Sequence, residues 1–425
     1  MKKPLNNRVV IVGYEIATCL GFGLNKTWDR AVKGETGFTW ITRVDVGDYD
    51  CQAVGEIPNF DLKQFEFLDS RELKNWFSKF IPFSMGLCHS AVKHAGIDMS
   101  RIDPYRIGLI IGSALNGLDG YERNVKALMN GDHYKISPYL LPNVCANLTC
   151  GKASILLGIK GPQFALESAC ATGNHCIAEA AKIIQRGDAA VMLAGGVEIP
   201  LLKPIIYGFG NMNALLKKKA NDRAYDNAKA ASRPYSIDRR GFVLSEGGAI
   251  LVLSSLDFAL NHDLRIYAEV LGTGMNGDAC HYTAPDQQSV AKCIQLALDD
   301  AEMNIDEIGY INGHGTSTKV GDKTEIQALR QVFGSNIAGI PVSSNKSQIG
   351  HSLGATAAIE AVLSVHGMQK NIILPNANYL PDPDFAGVNL VGEKAIPFKY
   401  RHVLSNAFGF GGTNCCLVLR KWDHK

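Results

Sequence analysis

The segment "QFALESACATGNHCIAEAAKII" (residues 163–184) combines a short β-type run, a turn of small residues and a helical pattern. The turn contains one cysteine, Cys170, among alanine, serine, threonine and glycine, and apolar residues with a helical period follow it. The segment "PVSSNKSQIGHSLGATAAIEAVL" (residues 341–363) repeats this order of strand, small-residue turn and helix. The repetition predicts an α/β chain made of two similar halves.

Short β-rich runs alternate with helical patterns along the chain, which is typical of an α/β protein with buried sheets. The predicted strands are 8–13, 106–113, 163–168, 189–196, 266–272, 308–313, 341–345 and 415–419, and the predicted helices are 173–186, 288–302, 322–333 and 354–369. A length of 425 residues is enough for roughly two or three domains. We expect a boundary near "NHDLR" (261–265), which gives one half at 1–264 and another at 265–425.

The charge balance argues against a chain-wide basic surface for nucleic acid. Lys and Arg number 43 and Asp and Glu 41, so the net charge is +2 and any charge-driven partner must bind a local patch. The 11 cysteines are scattered and include no CxxC pair, which is typical of a reduced, cytoplasmic protein without a zinc ribbon. The sequence contains no apolar run of about 20 residues, so we do not expect it to span a membrane.

Cys170 lies at the junction between a predicted strand and a predicted helix. The thiolate is the reactive form of cysteine, and the unpaired N–H groups of a helix N-terminus stabilise it. Small neighbours would let an extended thioester approach, and nearby backbone N–H groups could hold an oxyanion. A buried apolar cysteine fits the same local sequence equally well, so the segment alone leaves both interpretations open.

Two histidines in glycine-flanked turns favour the catalytic interpretation. His314 lies between two glycines in "NGHGTSTKVGD" (312–322), directly after a predicted strand. Lys346 and His351 follow the next predicted strand. A single histidine at a strand end is more often structural, but two such turns together with a cysteine form the residue set of a thiol catalyst.

Four blocks of the sequence resemble the signature motifs of the elongating β-ketoacyl-[acyl carrier protein] synthases, which use a Cys-His-His triad. The blocks are "ESACATG" (167–173), "GHGTST" with "GD" (313–322), "NKSQIGHSLGA" (345–355) and "SNAFGFGGTN" (405–414). Their order and wide separation argue against a chance match. The resemblance covers nearly the whole chain and implies a thiolase-like fold, in which two similar halves form a five-layered αβαβα structure. It also implies a homodimer, with a heterodimer with a related subunit as the alternative.

The resemblance implies a reaction as well. Cys170 would take an acyl chain from an acyl carrier protein as a thioester. His314 and His351 would hydrogen-bond the thioester carbonyl of a malonyl carrier protein and stabilise the enolate formed when carbon dioxide leaves. That carbanion would attack the acyl group on Cys170. No cofactor is expected, because the substrates are carried on the 4'-phosphopantetheine of the carrier protein.

Further roles are carried over from the same resemblance. It implies that Lys346 supports the second histidine, with Glu360 as its ionic partner, and that Thr316 and Thr318 bind the pantetheine amides. It also implies that the backbone N–H groups of Cys170 and Phe410 form the oxyanion hole and that Phe410 acts as a gate. Leu115 would line the acyl pocket. A solvated loop lysine at position 346 and a simple tight turn at "FGFGG" (408–412) are the alternatives.

The chain departs from the family pattern in several places. The family has "RPFDxxRDGFVxGEGAG" where this chain has "RPYSIDRRGFVLSEGGA" (233–249), with Ser236 and Arg240 in place of acids and Ser245 in place of a glycine. Phe77 stands where an aspartate is common, and "KKKANDRAYDNAK" (217–229) resembles an insertion. None of these departures touches the triad, but together they leave the pathway open.

Three alternatives to fatty-acid elongation follow. A ketosynthase of a type II polyketide or polyene pathway fits the same motifs. A non-condensing chain-length partner subunit is a second alternative, and Cys170 argues against it because such subunits usually have another residue there. A thiolase or chain-initiating synthase working with coenzyme A is a third, and His351 argues against it.

An acidic carrier protein as partner requires a basic patch near the channel entrance. The candidate side chains are Arg71, Lys74, Lys135, Lys217, Lys218 and Lys219. Asn213 falls where an arginine often lies in the family, so the neighbouring lysines are expected to supply that charge. The alternative is that Lys217–Lys219 is a solvated loop.

Overall fold

The computed structural model describes residues 8–69, 75, 78–219 and 227–423. Its strands are β1 (Val9–Thr18), β2 (Gly21–Phe22), β3 (Thr39–Trp40), β4 (Ala53–Gly55), β5 (Ile107–Gly112), β6 (Gln163–Phe164), β7 (Val191–Glu198), β8 (Leu244–Ser245), β9 (Gly247–Ser255), β10 (Ala268–Gly277), β11 (Tyr310–Asn312), β12 (Val342–Ser343), β13 (Ile372–Ile373), β14 (Ile396–Pro397), β15 (His402–Gly409) and β16 (Thr413–Lys421).

The helices of the same ranges are α1 (Leu24–Val32), α2 (Phe80–Ala95), α3 (Leu118–Met129), α4 (Leu140–Val144), α5 (Leu148–Leu157), α6 (Thr172–Arg186), α7 (Lys203–Asn211), α8 (Leu256–Asn261), α9 (Gln287–Asp300), α10 (Lys319–Phe333), α11 (Lys346–Ile349) and α12 (Leu353–Lys370). Among these described helices, none is both long and apolar enough to cross a bilayer.

The main sheet has the strand order β12-β11-β15-β16-β10-β1-β9-β7-β5-β6, with β2 paired to β1. In the first half, β5 is parallel to β6 and β7, and β9 runs antiparallel between β7 and β1. In the second half, β11 is parallel to β12 and β15, and β16 runs antiparallel between β15 and β10. Strand order and direction are therefore the same in the two halves, which confirms the prediction of two similar halves.

Helices cover both faces of each half-sheet. In the middle of the molecule, α6 packs on β7, α12 packs on β9, and the two helices contact each other. On the outer faces, α2 packs on β1 and α9 packs on β10. Three large apolar clusters fill the spaces between these layers. The arrangement is the predicted αβαβα structure.

The middle layer depends on small residues that let α6 and α12 approach closely. A Cβ atom on Gly173 would lie 2.5 Å from the backbone nitrogen of Ala358, a separation that real Cβ atoms do not adopt. Ala178, Ala181 and Ala361 are buried in the same cluster. This close packing holds the beginnings of α6 and α12, where the cysteine and second-histidine turns end, side by side.

The sequence-based strands were wrong in two respects. β9 and β15 were not predicted, although both are fully part of the sheet. The strand predicted at 163–168 ends at Phe164. Residues near Ser168 leave the sheet because the Ser168 N–H donates to the Thr172 hydroxyl at 2.8 Å, which closes the turn before α6 instead of extending the ladder.

Candidate active site

One cavity of about 790 Å³ brings together residues from both halves. Its lining includes Cys170, His314, His351, Thr316, Thr318, Phe410 and Leu115. Tyr282, Val320 and Met212 also line it and are 70%, 60% and 45% exposed, so they mark its mouth. The predicted site residues that do not line the cavity are Lys346 and Glu360, which are buried.

Cys170 lies on a single 3-10 turn, Ala169–Ala171, immediately before α6. Ala169 has a φ of +47°, a value that non-glycine residues rarely adopt. Only 8% of Cys170 is exposed, and this burial raises the pKa of its thiol to about 11, against the opposing effects of the Phe410 N–H and the Lys346 charge. Desolvation therefore outweighs the stabilisation that the Phe410 N–H and the Lys346 charge give to the thiolate.

Phe410 lies in the turn between β15 and β16 and donates its backbone N–H to the Cys170 thiol. The turn is pressed against the cysteine segment, since a Cβ on Gly409 would lie 2.7 Å from the Ser168 carbonyl oxygen. The Thr413 hydroxyl donates to that same oxygen at 3.0 Å. This docking places the N–H groups of Phe410 and Cys170 at one edge of the cavity, where an oxyanion could accept from both.

His314 is held by its backbone. Its N–H and that of Gly315 donate to the two carboxylate oxygens of Glu325, each at 2.8 Å. The same carboxylate accepts from the Tyr235 hydroxyl at 2.8 Å and from Asn406 Nδ2 at 3.1 Å. The sequence analysis missed Glu325. Its signal was an acid inside the apolar face of α10, beside buried Ile326.

His351 is fixed at both its backbone and its ring. Its N–H donates to the Val243 carbonyl at 2.8 Å, and its carbonyl accepts from the Ser245 N–H at 3.1 Å. The ring Nδ1 lies 2.9 Å from the Thr356 hydroxyl, and a proton donated by that hydroxyl would leave the ring proton on Nε2. Ser245, which replaces a glycine of the family pattern, places its hydroxyl 2.9 Å from that of Ser352.

The two imidazole rings lie close together and are neutral. Their centroids are 5.7 Å apart and their planes are nearly perpendicular. Burial, with a further contribution from Lys346, holds the pKa of both histidines well below its usual value. Nδ1 of His314 and Nε2 of His351 are buried and accept or donate no hydrogen bond within the described part of the chain. Such preorganised neutral groups are suited to a substrate oxygen that gains negative charge.

Lys346 and Glu360 form a buried ion pair. Nζ of Lys346 lies 2.8 Å from each oxygen of the Glu360 carboxylate, and neither residue is more than 1% exposed. The alternative of a solvated loop lysine is therefore wrong. Burial raises the pKa of Glu360 to about 7, and the nearby ammonium opposes that rise. The pair is a fixed charge arrangement that acts on Cys170, His314 and His351.

Comparison with known families decides the identity of this scaffold. The sequence model of the β-ketoacyl synthase N-terminal domain matches residues 6–259, and that of the C-terminal domain matches residues 267–380. The chain belongs to the β-ketoacyl synthase family. It is 37% identical over 421 residues to 3-oxoacyl-[acyl-carrier-protein] synthase 2 of Staphylococcus aureus strain COL, with 98% of this chain and 99% of the relative covered. It is 36% identical to the Coxiella burnetii protein of the same name over 416 residues, 97% of this chain and 98% of the relative.

Solved ketosynthases have the same fold. One is a ketosynthase of a type II polyketide synthase, in complex with its acyl-carrier protein and bound to the hexaketide; it has a TM-score of 0.89 and 28% identity, over 98% of this chain and 99% of that one. A β-ketoacyl synthase from Burkholderia phymatum STM815 matches with the same score and identity, over 98% of this chain and 100% of that one. The synthase described here is thus a thiolase-fold condensing enzyme of the acyltransferase type.

Thr316 and Thr318 of this synthase lie in one wall of the cavity, and their hydroxyls are 2.9 Å apart. Ser317 between them has a φ of +69°, which turns the two neighbouring side chains to the same side. The Thr316 N–H donates to Asp322 Oδ1 at 2.9 Å, so the wall is anchored to α10. Two hydroxyls at this spacing can donate a hydrogen bond to an amide carbonyl and accept one from an amide N–H.

Leu115 lies at an apolar end of the cavity together with Phe209 and Leu353. The backbone N–H of Leu115 donates to the Glu198 carboxylate at 3.2 Å. The sequence analysis missed Glu198, which is fully buried at the end of β7. Its signal was the acid in "AGGVEIP" (194–200), directly after an otherwise apolar run.

The basic residues predicted to bind a carrier protein lie in different parts of the synthase. Arg71 and Lys74 lie outside the described residues, as does Phe77. Lys135 forms an exposed ion pair with Asp132 at 2.8 Å. Lys217, Lys218 and Lys219 do not line the cavity: Lys217 Nζ donates to Asn213 at 2.8 Å, and Lys218 lies 4.1 Å from the centre of the Trp40 ring. The cations that do line the cavity are Arg240 and Lys319.

Within the described residues, no three His, Cys, Asp or Glu side chains are arranged to hold a metal ion.

Proposed function

We propose that this β-ketoacyl synthase carries out decarboxylative Claisen condensation in fatty-acid elongation. Cys170 accepts an acyl group from an acyl carrier protein, whose pantetheine thiol leaves with the proton. Malonyl carrier protein then loses its free carboxylate as carbon dioxide, and the resulting enolate carbon attacks the acyl-Cys170 carbonyl. The C–C bond forms, the C–S bond breaks and Cys170 recovers a proton. The product is a β-ketoacyl carrier protein.

A single observation carries this proposal: the buried thiol and two neutral imidazoles face one cavity from opposite halves. Decarboxylation needs stabilisation of a developing enolate oxygen, and neutral donors in a dry site supply it without a strong base. If the Thr356 hydroxyl donates to Nδ1 of His351, the ring proton lies on Nε2, which can then donate toward that oxygen. Burial holds the pKa of both rings well below its usual value, and the Lys346 ammonium adds to that effect because it disfavours a second positive charge nearby.

The first step uses a different part of the site. When the acyl thioester is attacked, its carbonyl oxygen becomes an oxyanion, and the N–H groups of Cys170 and Phe410 are placed to receive it. Each such donor typically contributes a few kcal/mol to the transition state. Phe410 lies between Gly409 and the glycines 411 and 412, which have φ values of +84° and +71°, so the turn has the backbone freedom that a gate requires.

The mouth of the cavity supports an acyl carrier protein as the substrate donor. Thr316 and Thr318 line the same cavity as Cys170, and their hydroxyls suit the amides of the pantetheine arm. Arg240 and Lys319 give the wall positive charge near exposed Met212 and Val320. Lys217 contacts the lining residues Asn213 and Arg240 without lining the cavity itself, so we assign Lys217–Lys219 a steering role. No free cofactor enters this scheme, because the carrier delivers both substrates.

A ketosynthase of a type II polyketide or polyene pathway is the second candidate. The observation that favours it is the likeness to the polyketide ketosynthase described above and to the ishigamide ketosynthase/chain length factor, which has a TM-score of 0.89 and 28% identity over 98% of this chain and 99% of that one. The higher identity to proteins named 3-oxoacyl-[acyl-carrier-protein] synthase 2 favours fatty-acid elongation.

We propose that the protein is a cytoplasmic homodimer. Each subunit would consist of one half at residues 1–264 and a second half at residues 265–425. The division lies in the connection between α8 and β10. The support for a dimer is the free side of β6, the last strand of the sheet, with exposed Phe164 on it and exposed Ile155 on neighbouring α5. A heterodimer with a related subunit would use the same edge. Sedimentation of the purified chain alone distinguishes the two, because a homodimer forms without a second gene product.

Intact-mass analysis after incubation with acyl carrier proteins of different chain lengths tests the proposal. We expect one acyl adduct per chain, mapped to Cys170, and a β-ketoacyl product two carbons longer once malonyl carrier protein is added. Cys145→Ala removes an exposed thiol outside the cavity and is the matched control, which should be acylated like the parent. Absence of an adduct with every acyl carrier protein would refute the proposal, whereas efficient use of polyketide intermediates alone would favour the second candidate.

A further inference from the structure

Glu198 is a buried carboxylate that the reaction scheme above does not use. It is fully buried at the end of β7. It accepts from the Ser113 hydroxyl at 2.8 Å and from the N–H groups of Ala114 and Leu115 at 2.7 and 3.2 Å. It also accepts from the N–H of Gly354 at 3.1 Å. All of these donors are neutral, so the carboxylate is held by hydrogen bonds and not by an ion pair.

The contacts of Glu198 repeat those of Glu325 in the other half. Ala114 is the second residue after β5, as His314 is the second residue after β11. In each turn this residue and the next donate their N–H groups to the two oxygens of one carboxylate. Glu325 in this way fixes the turn that presents a catalytic histidine. The corresponding turn at Glu198 presents Ala114 and Leu115 to the cavity instead.

Glu198 also joins that turn to the beginning of α12. A Cβ on Gly354 would lie 2.6 Å from the Ala114 nitrogen and 3.0 Å from Glu198 Oε2, so the two segments touch at the carboxylate. Leu353, directly before Gly354, lines the cavity and has a φ of +41°. A single side chain therefore sets the separation between two walls of the apolar end, one carrying Leu115 and the other Leu353.

We infer that Glu198 is the positioning residue of the acyl pocket, and that its hydrogen bonds to the turn and to α12 determine which acyl chain lengths the synthase accepts. The inference rests on the proposed function, since it assumes an acyl chain on Cys170. Glu198 does not contact the reacting atoms in this account. It acts through the backbone N–H groups of Leu115 and of Gly354, the neighbour of Leu353, and the side chains of Leu115 and Leu353 contact the acyl chain.

The charge of Glu198 provides an independent readout. Burial raises the pKa of its carboxyl to about 7, and its negative charge contributes to the raised pKa of the Cys170 thiol. Replacing it with glutamine removes that charge and exchanges one acceptor oxygen for an NH2 group, which cannot accept from an N–H. The turn then loses part of its anchor, and the Cys170 pKa should fall.

The experiment compares Glu198→Gln with the parent and with Glu179→Gln, whose acid lies on α6 and pairs with Lys182 outside the cavity. For each protein, kcat and KM of Cys170 acylation are measured with short, medium and long acyl carrier proteins, together with carbon dioxide release from malonyl carrier protein. We expect the long-to-short ratio of kcat/KM to change by about fivefold to tenfold in Glu198→Gln, as the loss of one or two hydrogen bonds implies. Carbon dioxide release should change less than this ratio, and Glu179→Gln should keep the parent profile. The pH dependence of Cys170 alkylation by iodoacetamide should move to lower pH in Glu198→Gln only.

An unchanged long-to-short ratio in a folded Glu198→Gln protein would overturn the inference. So would an equal fall in all chain lengths and in carbon dioxide release, because that result indicates a general structural role. If Glu198→Gln does not fold, Ser113→Ala removes one donor to the same carboxylate, and the same two outcomes apply to its ratio. Failure of the parent to acylate Cys170 at all would instead refute the proposed function.

Discussion

The two halves of the synthase have the same strand order but use corresponding turns for different tasks. The turn after β5 and the turn after β11 are each held by one buried carboxylate, Glu198 and Glu325, through two consecutive N–H groups. The first turn presents Ala114 and Leu115, and the second presents His314. The scaffold therefore fixes the backbone in the same way twice. In the proposed reaction, the side chain at the tip decides whether the turn binds an acyl chain or donates to an enolate.

The turns after β6 and β12 show a second difference between the halves. The first carries Cys170 and the second carries Lys346 and His351. Lys346 is buried with its partner Glu360, whereas the turn after β6 contains no lysine or arginine. Burial holds the pKa of both histidines well below its usual value, and the Lys346 charge adds to that effect. The same charge lowers the pKa of Cys170 against the larger effect of burial, so in the proposed reaction it favours both half-reactions.

Cys170→Ala should have the largest effect of these substitutions, and it tests whether the turn after β6 supplies the nucleophile. We expect condensation to fall by about a thousandfold or more, because no other nucleophile lines the cavity at that turn. Product formation from acyl and malonyl carrier proteins measures it, and an unchanged thermal midpoint shows that the fold is retained. Acylation that maps to Cys176 or Cys280 would contradict the assignment.

Glu360→Gln tests the asymmetric charge. It leaves the Lys346 ammonium buried without its carboxylate, which typically costs about 3–5 kcal/mol in the free energy of unfolding. Urea denaturation measures this quantity. The matched control is Glu179→Gln, in the more exposed pair with Lys182, for which we expect a change of about 0.5 kcal/mol or less. Equal effects of the two substitutions would show that burial of the first pair has no energetic consequence.

Leu115→Phe tests whether the turn after β5 binds the acyl chain. The larger ring should shorten the longest acyl chain that Cys170 accepts, because a packed cavity does not easily relieve overfilling, at a typical cost of about 1–3 kcal/mol. Acylation rates across a series of acyl carrier proteins measure the limit. Leu128→Phe, at an exposed position on α3, is the control. An identical chain-length profile in Leu115→Phe would place the acyl pocket elsewhere.

The smallest effect is expected from the lysines at 217–219. Changing all three to glutamate should raise the KM for carrier-protein substrates by a few fold at low salt, since rim charges act mainly on association and are screened within about 10 Å at 0.1 M salt. A small pantetheine thioester should be used as before. If the triple variant uses both substrates like the parent at low ionic strength, these residues belong to a solvated loop.

Much of this site could be predicted from the sequence because catalysis requires specific residue types at fixed places in short motifs. Cys170, His314 and His351 each follow a predicted strand, and the turns that hold them have small residues with few alternatives. Glu198 and Glu325 could not be predicted in this way. Glu198 contacts turn residues at least 83 positions away in the sequence, and Glu325 contacts turn residues at least 10 positions away. Both carboxylates accept from backbone N–H groups, which every residue type except proline has, so the contacts require no specific residue in the motif.

The fold was predicted less completely for physical reasons that differ between elements. β15 has the polar residues Ser405 and Asn406 at fully buried positions, and Asn406 Nδ2 donates to the Glu325 carboxylate. The raised pKa of Cys170 could not be predicted either. The helix N-terminus is visible in the sequence, but the burial that outweighs it depends on the tertiary fold.

We propose that Cys170 in the first half holds the acyl group and that His314 and His351 in the second half drive decarboxylation. The most direct test measures, in Cys170→Ala and in His351→Ala, both the acyl adduct by intact mass and carbon dioxide release from malonyl carrier protein. The account predicts that Cys170→Ala loses the adduct but still releases carbon dioxide, whereas His351→Ala keeps the adduct and loses about 10²–10³ in the rate of release. Undiminished release from His351→Ala, or equal loss of both activities in each variant, would contradict it.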